Sequence, residues 1–114
     1  MSQDATYLDA MTAAPDHHQV ILENDQVRVL DTRLRPGDRT PLHTHPWSSV
    51  LYILAWSDFV RTDAEGKVLL DSRTLPTKPA AGSSLWSEPL GPHRAENVGD
   101  GELRVIAIEL KTSR

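Results

Sequence analysis

The chain has no cysteine among its 114 residues, which excludes disulfides, thiolate metal ligands and a cysteine nucleophile. Its 12 Lys and Arg residues are scattered and outnumbered by 16 Asp and Glu residues, so the net charge is −4. A surface that follows nucleic-acid phosphates needs clustered basic side chains. We therefore expect no nucleic-acid partner.

Long apolar runs are also missing. The longest, residues 50–56 (VLYILAW), has the length of a strand and falls far short of the roughly 20 residues that a bilayer span needs. The first residues, MSQDATYLDAM, have neither a basic start nor an apolar stretch, so they do not resemble a secretory signal. We expect a cytoplasmic protein with no membrane partner. The sequence also has no Gly-rich phosphate loop before a helix and no G-x-S-x-G elbow, so we expect no nucleotide cofactor and no serine triad.

The length of 114 residues and the 39% hydrophobic content fit one domain with a core of its own. Short apolar stretches alternate with turn residues, which predicts an all-β barrel. Turns are expected at residues 36–38 and 63–67, the second with Gly66 at a position that needs a positive φ. Strands are predicted over residues 20–23, 27–34, 42–45, 49–62, 68–71, 74–77, 84–87, 93–97 and 103–111.

The first 18 residues show no sustained period. They predict an N-terminal arm, either disordered or packed against a partner subunit, with a short helix over residues 7–11 as one option. Residues 19–114 would then form the barrel. His17 and His18 fall in this arm, and adjacent residues of a strand point in opposite directions. We expect both to be solvated.

Three other histidines are candidates for metal ligation. His43 and His45 lie two residues apart, so in a strand both imidazoles point to one face and can reach one ion. Gly37 precedes His43 by six residues. A second segment places His93 eleven residues after Gly82.

These two segments resemble the two motifs of the cupin superfamily. The first, G-x5-H-x-H-x3-E-x6-G, is met at Gly37, His43 and His45, and the second, G-x5-P-x-G-x2-H-x3-N, at Gly82, His93 and Asn97. The resemblance runs from about residue 20 to the C-terminus. It implies a double-stranded antiparallel β-helix, or jelly-roll barrel, with a divalent transition metal held inside by His43, His45 and His93.

The departures from these motifs shape the expected chemistry. Ser49 stands at the position of the usual glutamate ligand, Trp56 replaces the closing glycine of the first motif, and Glu88 and Leu90 replace a proline and a glycine of the second. Three neutral imidazoles and no protein anion would leave the ion its full charge and open positions. Such a site favours ligands that bring their own negative charge in a chelating geometry.

Four further residues are candidates for the pocket: Trp47, Ser49, Trp86 and Asn97. Trp47 has the same strand parity as His43 and His45, so its side chain could form a wall of the pocket. Ordinary core packing explains Trp47 and Trp86 equally well. Asn97 is expected in a turn or behind the ligands. Any arginine on a predicted strand could steer a substrate carboxylate, although outer-face solvation is the favoured interpretation of each; these are Arg28, Arg33, Arg61 and Arg104.

Three-histidine cupins are similar to β-diketone dioxygenases and thiol dioxygenases, and the chain also resembles short bacterial cupins associated with β-alanine degradation. The leading hypothesis is therefore a non-haem Fe(II) dioxygenase of a small chelating organic acid or diketone. One alternative is an isomerase or lyase that uses Zn, Mn or Ni without redox chemistry. Another is a non-catalytic barrel that binds a small molecule. Open sheet edges also favour a homodimer.

Overall fold

The computed structural model describes residues 8–111 of the chain. Within them lie one short α-helix and nine strands. The elements are α1 (Ala10–Ala13), β1 (His18–Glu23), β2 (Val27–Leu34), β3 (His43–His45), β4 (Ser49–Ala55), β5 (Phe59–Thr62), β6 (Val68–Asp71), β7 (Ser84–Ser87), β8 (Leu90–Asn97) and β9 (Leu103–Leu110). No helix in this part of the chain is long and apolar enough to span a membrane.

The strands form two sheets that enclose the interior. One has the order β1-β2-β9-β4-β7 and the other β3-β8-β5-β6. All the strand pairs are antiparallel, and many join strands far apart in sequence, such as β2 with β9 and β3 with β8. The predicted all-β jelly-roll barrel is confirmed.

Two predicted strands differ from the structure. Residues 49–62 form two strands, because the chain leaves one sheet after β4 and enters the other at β5. The buried Ser57 lies at this crossing, where its hydroxyl donates to Asn97 Oδ1 over 2.7 Å. Residues 74–77 form no strand: the chain makes a 3-10 helix over Ser72–Thr74. Pro76 follows it and has no N–H to give to a ladder.

The predicted turns are confirmed by two glycines in the left-handed region. Gly37 has a φ of 84° and Gly66 a φ of 85°, a conformation that costs glycine little because it has no Cβ. In the hairpin loop the Asp63 carboxylate accepts hydrogen bonds from the backbone N–H groups of Glu65 and Lys67, each 2.9 Å long. These contacts close the turn between β5 and β6.

The N-terminal segment packs on the barrel from residue 9 onwards. Asp9 caps α1 by accepting a 3.1 Å hydrogen bond from the backbone N–H of Met11. Ala10 and Ala14 are fully buried, and Ala10 forms a core cluster with Leu30 and Ala107. The helix expected over residues 7–11 therefore lies further along the chain, and residue 7 itself falls outside the described residues.

Candidate metal centre

Four histidines from three strands converge inside the barrel. His43 pairs directly with His93 across β3 and β8, and their ring centroids are 4.3 Å apart. His45 lies 5.1 Å from His43 and 5.6 Å from His93, centroid to centroid. The first residue of β1, His18, completes the group at 4.9 Å from His43 and 5.3 Å from His45. The rings of the three motif histidines thus lie near one another, together with one that we expected to be solvated. The ligand nitrogens that all come within 4.8 Å of one another belong to His18, His43 and His45 and not to His93.

Each of the four rings is oriented by a hydrogen bond at Nδ1. The acceptors for His18, His43 and His93 are the backbone carbonyls of Ala14, Pro41 and Gly91, at 2.9, 2.8 and 2.7 Å. The acceptor for His45 is Oε2 of Glu109 at 2.9 Å. A carbonyl oxygen can only accept, so Nδ1 carries the proton and Nε2 keeps its lone pair. In neutral His18, His43 and His93, Nε2 is therefore the nitrogen that can bind an ion.

Burial keeps three of these rings neutral. Desolvation lowers the pKa of His18 to about 3, that of His43 to about 4 and that of His93 to about 3, because it disfavours the charged imidazolium. The neighbouring imidazoles lower these pKa values further. At neutral pH the rings are thus in the protonation state that binds a metal.

Behind His45 lies a buried network of charges. Glu109 is 1% exposed and accepts from His45 through Oε2 and from Nε of Arg28 through Oε1, the second at 2.6 Å. Both Nη atoms of Arg28 donate to the Asp9 carboxylate at 2.8 Å. Although burial opposes it, the hydrogen bonds to these two carboxylates raise the pKa of Arg28 above its ordinary value. A carboxylate therefore lies one hydrogen bond behind His45 without lining the cavity.

The histidines line a cavity of about 290 Å³ between the two sheets. Most of its lining is apolar, and among the described residues no Asp or Glu contributes to it. Ser49 is buried and lines the cavity, as its strand parity predicts. Trp86 also lines it and is 57% exposed, so it lies where the cavity opens to solvent.

Trp47 and Asn97 do not line this cavity. Trp47 lies beneath Arg28 and Lys111, whose charged groups are 5.1 and 5.9 Å from its ring centroid; β3 ends at His45, so strand parity does not continue through the following proline. The amide of Asn97 donates to the carbonyls of Leu34 and Gly101, each at 2.9 Å. Asn97 therefore holds the turn between β8 and β9, in line with the expectation that it is not a ligand.

Sequence reasoning missed His18 and Glu109, although each has a signal. His18 lies two residues before Val20, which packs against the core cluster, so a strand begun two residues earlier would have turned His18 inward. Glu109 continues the inward face of β9, where Leu103, Val105 and Ala107 line the cavity. An acidic residue on an otherwise apolar, inward-facing side of a strand indicates that its carboxylate has a buried partner.

The donor set fits a divalent transition metal. The ligand nitrogens of His18, His43 and His45 all lie within 4.8 Å of one another. An ion about 2.1 Å from each nitrogen would hold its ligands at most about 4.2 Å apart, so small side-chain rotations suffice. Neutral imidazoles suit Zn, Cu, Fe and Ni. Among the described residues, nothing donates a hydrogen bond to these Nε2 atoms.

Comparisons with known proteins support the fold. No protein-family model matches the chain, and no curated protein matches it. A cupin domain from Bordetella pertussis Tohama I is similar to it in structure, with a TM-score of 0.67 and 23% identity over 82% of this chain and 91% of that one. An RmlC-like cupin with a double-stranded β-helix from Methanocaldococcus jannaschii gives 0.57 and 12% over 82% and 77%.

The polyketide cyclase RemF from Streptomyces resistomycificus is also similar, with a TM-score of 0.55 and 15% identity over 87% of this chain and 68% of that one. Identities this low carry the fold and not the activity. The structural similarities and the antiparallel topology together lead to one conclusion. The chain has the cupin fold, a double-stranded antiparallel β-helix with a histidine group in its interior that can bind a metal.

Proposed function

We propose that this chain is a non-haem Fe(II) dioxygenase that acts on a small chelating organic acid or diketone. One observation carries the proposal. Four imidazoles lie with neighbouring ring centroids 4.3–5.6 Å apart in a mostly apolar cavity whose described lining includes no carboxylate. A divalent ion bound by neutral ligands keeps its charge, which favours a substrate that brings its own negative charge and chelates.

The protein's own groups would prepare such a site. The carbonyls behind His18, His43 and His93 hold each ring in one tautomer, and Glu109 makes His45 a stronger donor. The apolar lining limits water, which strengthens electrostatic contacts to an anionic substrate. Bound iron would supply the Lewis acidity and the redox chemistry for reaction with O2.

His18 favours a second candidate, a lyase, isomerase or cyclase that uses Zn, Mn or Ni as a Lewis acid. Its ligand nitrogen lies within 4.8 Å of those of His43 and His45, so a small side-chain rotation would bring it to coordinating distance. A fourth imidazole would occupy one more coordination position and leave less room for both a chelating substrate and O2. A chelating substrate that needs no second small molecule suits that arrangement.

Metal analysis and oxygen uptake test the proposal. Freshly purified protein is analysed for transition metals, and iron-loaded protein is then screened for oxygen consumption with diketones, β-alanine-derived acids and thiols. We expect uptake that depends on both iron and substrate. If iron-loaded protein takes up no oxygen with any of them, the dioxygenase proposal fails. Turnover with zinc and without oxygen would support the Lewis-acid candidate, and ligand-induced stabilisation without turnover would indicate a binding protein.

A further inference from the structure

Arg61 lies on the inner face of the barrel beside the histidines. In β5 it pairs with Ala95 of β8, and His93 lies two residues before Ala95 on the same strand, so all three share one face. Arg61, Ala95 and His93 line the cavity together. Residues diagonal to one another on neighbouring strands are about 7–8 Å apart, so Arg61 is one strand spacing away from the histidine group.

Arg61 has no anionic partner among the described residues. Its Nε is buried and makes no hydrogen bond, and its guanidinium carbon lies 5.5 Å from the ring centroid of Phe59. Four other arginines each pair with a carboxylate: Arg28, Arg33, Arg73 and Arg104. The interpretation of Arg61 as a solvated outer-face residue is therefore wrong.

A half-buried guanidinium whose Nε is shielded from water and makes no hydrogen bond is costly for the fold. Desolvation lowers the pKa of Arg61, although an arginine remains protonated in proteins. Burying a charge without a partner opposes folding, and strain of this kind concentrates where a ligand supplies the missing group. Arg61 is also the only cavity-lining residue of the described chain, apart from the histidines, that carries an ionisable side chain.

We infer that Arg61 binds the carboxylate of a substrate whose other end chelates the metal at the histidine group. The planar guanidinium offers a pair of parallel N–H donors to a carboxylate, and Phe59 supports it from one side. The substrate class is then a small acid with its chelating oxygens and its carboxylate at opposite ends. This inference rests on the metal site of the proposed function but not on the reaction with oxygen.

Two matched ligands test the inference on zinc-loaded full-length protein. Succinylacetone has a diketone end and a carboxylate end, whereas in butyrylacetone a methyl group replaces the carboxylate. Calorimetric titration should show succinylacetone binding at least about tenfold more tightly, the range of a charge-assisted hydrogen bond. Arg61→Gln should abolish that preference and Arg61→Lys should keep part of it. Arg94→Gln, which removes the same charge one residue along β8 from His93, should leave the preference unchanged.

Equal binding of the two ligands by the parent protein, or a preference that survives in Arg61→Gln, would overturn the inference. No oxygen is involved, so a failure of the dioxygenase proposal does not affect the result. Zinc content is measured first. If the chain holds no zinc, titration of butyrate into metal-free parent protein and Arg61→Gln decides the same point, with loss of binding in the variant as the expected result.

The melting temperature provides a second test. It should fall on substitution if Arg61 stabilises the fold, and it should not fall if Arg61 serves to bind a ligand. Arg61→Met keeps the aliphatic packing on Phe59 and removes the unpaired charge, so the metal-free variant should melt at or above the temperature of the parent protein. A decrease of several degrees would mean that Arg61 stabilises the fold and would contradict a ligand-binding role.

Discussion

Glu109 accepts a 2.9 Å hydrogen bond from Nδ1 of His45 and, through its other oxygen, a 2.6 Å hydrogen bond from Arg28. Arg28 lies directly opposite Glu109 in the β2–β9 ladder, so the ladder itself sets the distance between the two charges. The network runs on to Asp9, which caps α1. One carboxylate therefore orients a metal-ligand candidate and is itself held by the main sheet and the N-terminal helix.

Glu109→Gln should weaken metal binding without emptying the site. The amide keeps the size of the side chain but loses the negative charge that strengthens His45 as a donor, and changes of this kind cost roughly 10–100-fold in affinity. Because Arg28 keeps Asp9 as a partner, the free energy of unfolding should fall by no more than about 3 kcal/mol. Competition with a zinc chelator and urea denaturation measure the two effects. Glu96→Gln, an exposed change on β8, is the control, and equal zinc affinity in both variants would contradict this role.

Single alanine substitutions should separate a three-histidine site from a four-histidine site. His43→Ala and His93→Ala should sharply reduce metal content, with a modest loss of stability because the barrel has its own core. His18→Ala should also lower zinc affinity if its ring is a ligand, whereas the ring of its half-buried neighbour His17 lies 3.3 Å from the carbonyl of Arg33 and does not line the cavity. His17→Ala is therefore the matched control. Metal content of His18→Ala equal to that of the control would remove His18 from the ligand set.

Local spacing revealed the part of the site that lies in the cupin motifs. His43 and His45 lie two residues apart in β3 and both line the cavity, and the strand that contains His93 lies beside them. The fold followed from the same evidence, because short strands between turn residues leave few other ways to bury their apolar faces.

Contacts between residues distant in sequence could not be predicted from the sequence. Arg28 and Glu109 are 81 residues apart, and only the ladder between β2 and β9 shows that each is the other's partner. His18 was missed for a related reason: its position depends on β1 starting two residues before the first apolar residue, with Nδ1 bound to the end of α1. The unpaired state of Arg61 is a property of its surroundings and has no local signal.

The metal-free protein should lose stability as the pH falls below neutral. In the unfolded chain a histidine titrates near pH 6.5, whereas burial lowers the pKa to about 3 for His18 and His93 and to about 4 for His43. Between these values the unfolded chain binds more protons than the folded chain. The contribution of the buried histidines to the free energy of unfolding is therefore fully present above pH 6.5 and decreases towards pH 4. The slope is at most about 1.4 kcal/mol per pH unit for each histidine.

Urea denaturation at pH 7, 6 and 5 measures this slope. His43→Ala removes one of the three buried rings and should flatten the profile by about a third of the histidine contribution. Gln19→Ala, an exposed change on β1 that removes no titratable group, should keep the slope of the parent protein. A stability that does not change between pH 7 and pH 5 would contradict the burial of neutral imidazoles.

We also propose that the chain forms a homodimer through β1. This strand is an edge of the five-stranded sheet, and its Ile21 and Leu22 are 51% and 52% exposed. Unpaired edges and exposed apolar side chains favour pairing with a second copy.

Sedimentation should show a dimer for the parent protein and a monomer for Ile21→Lys, because a charge on the edge opposes pairing. Val68→Lys places the same charge on an exposed apolar residue of β6, at the edge of the other sheet, and should stay dimeric. A parent chain that sediments as a monomer, or a dimer lost only in Val68→Lys, would exclude β1 as the interface.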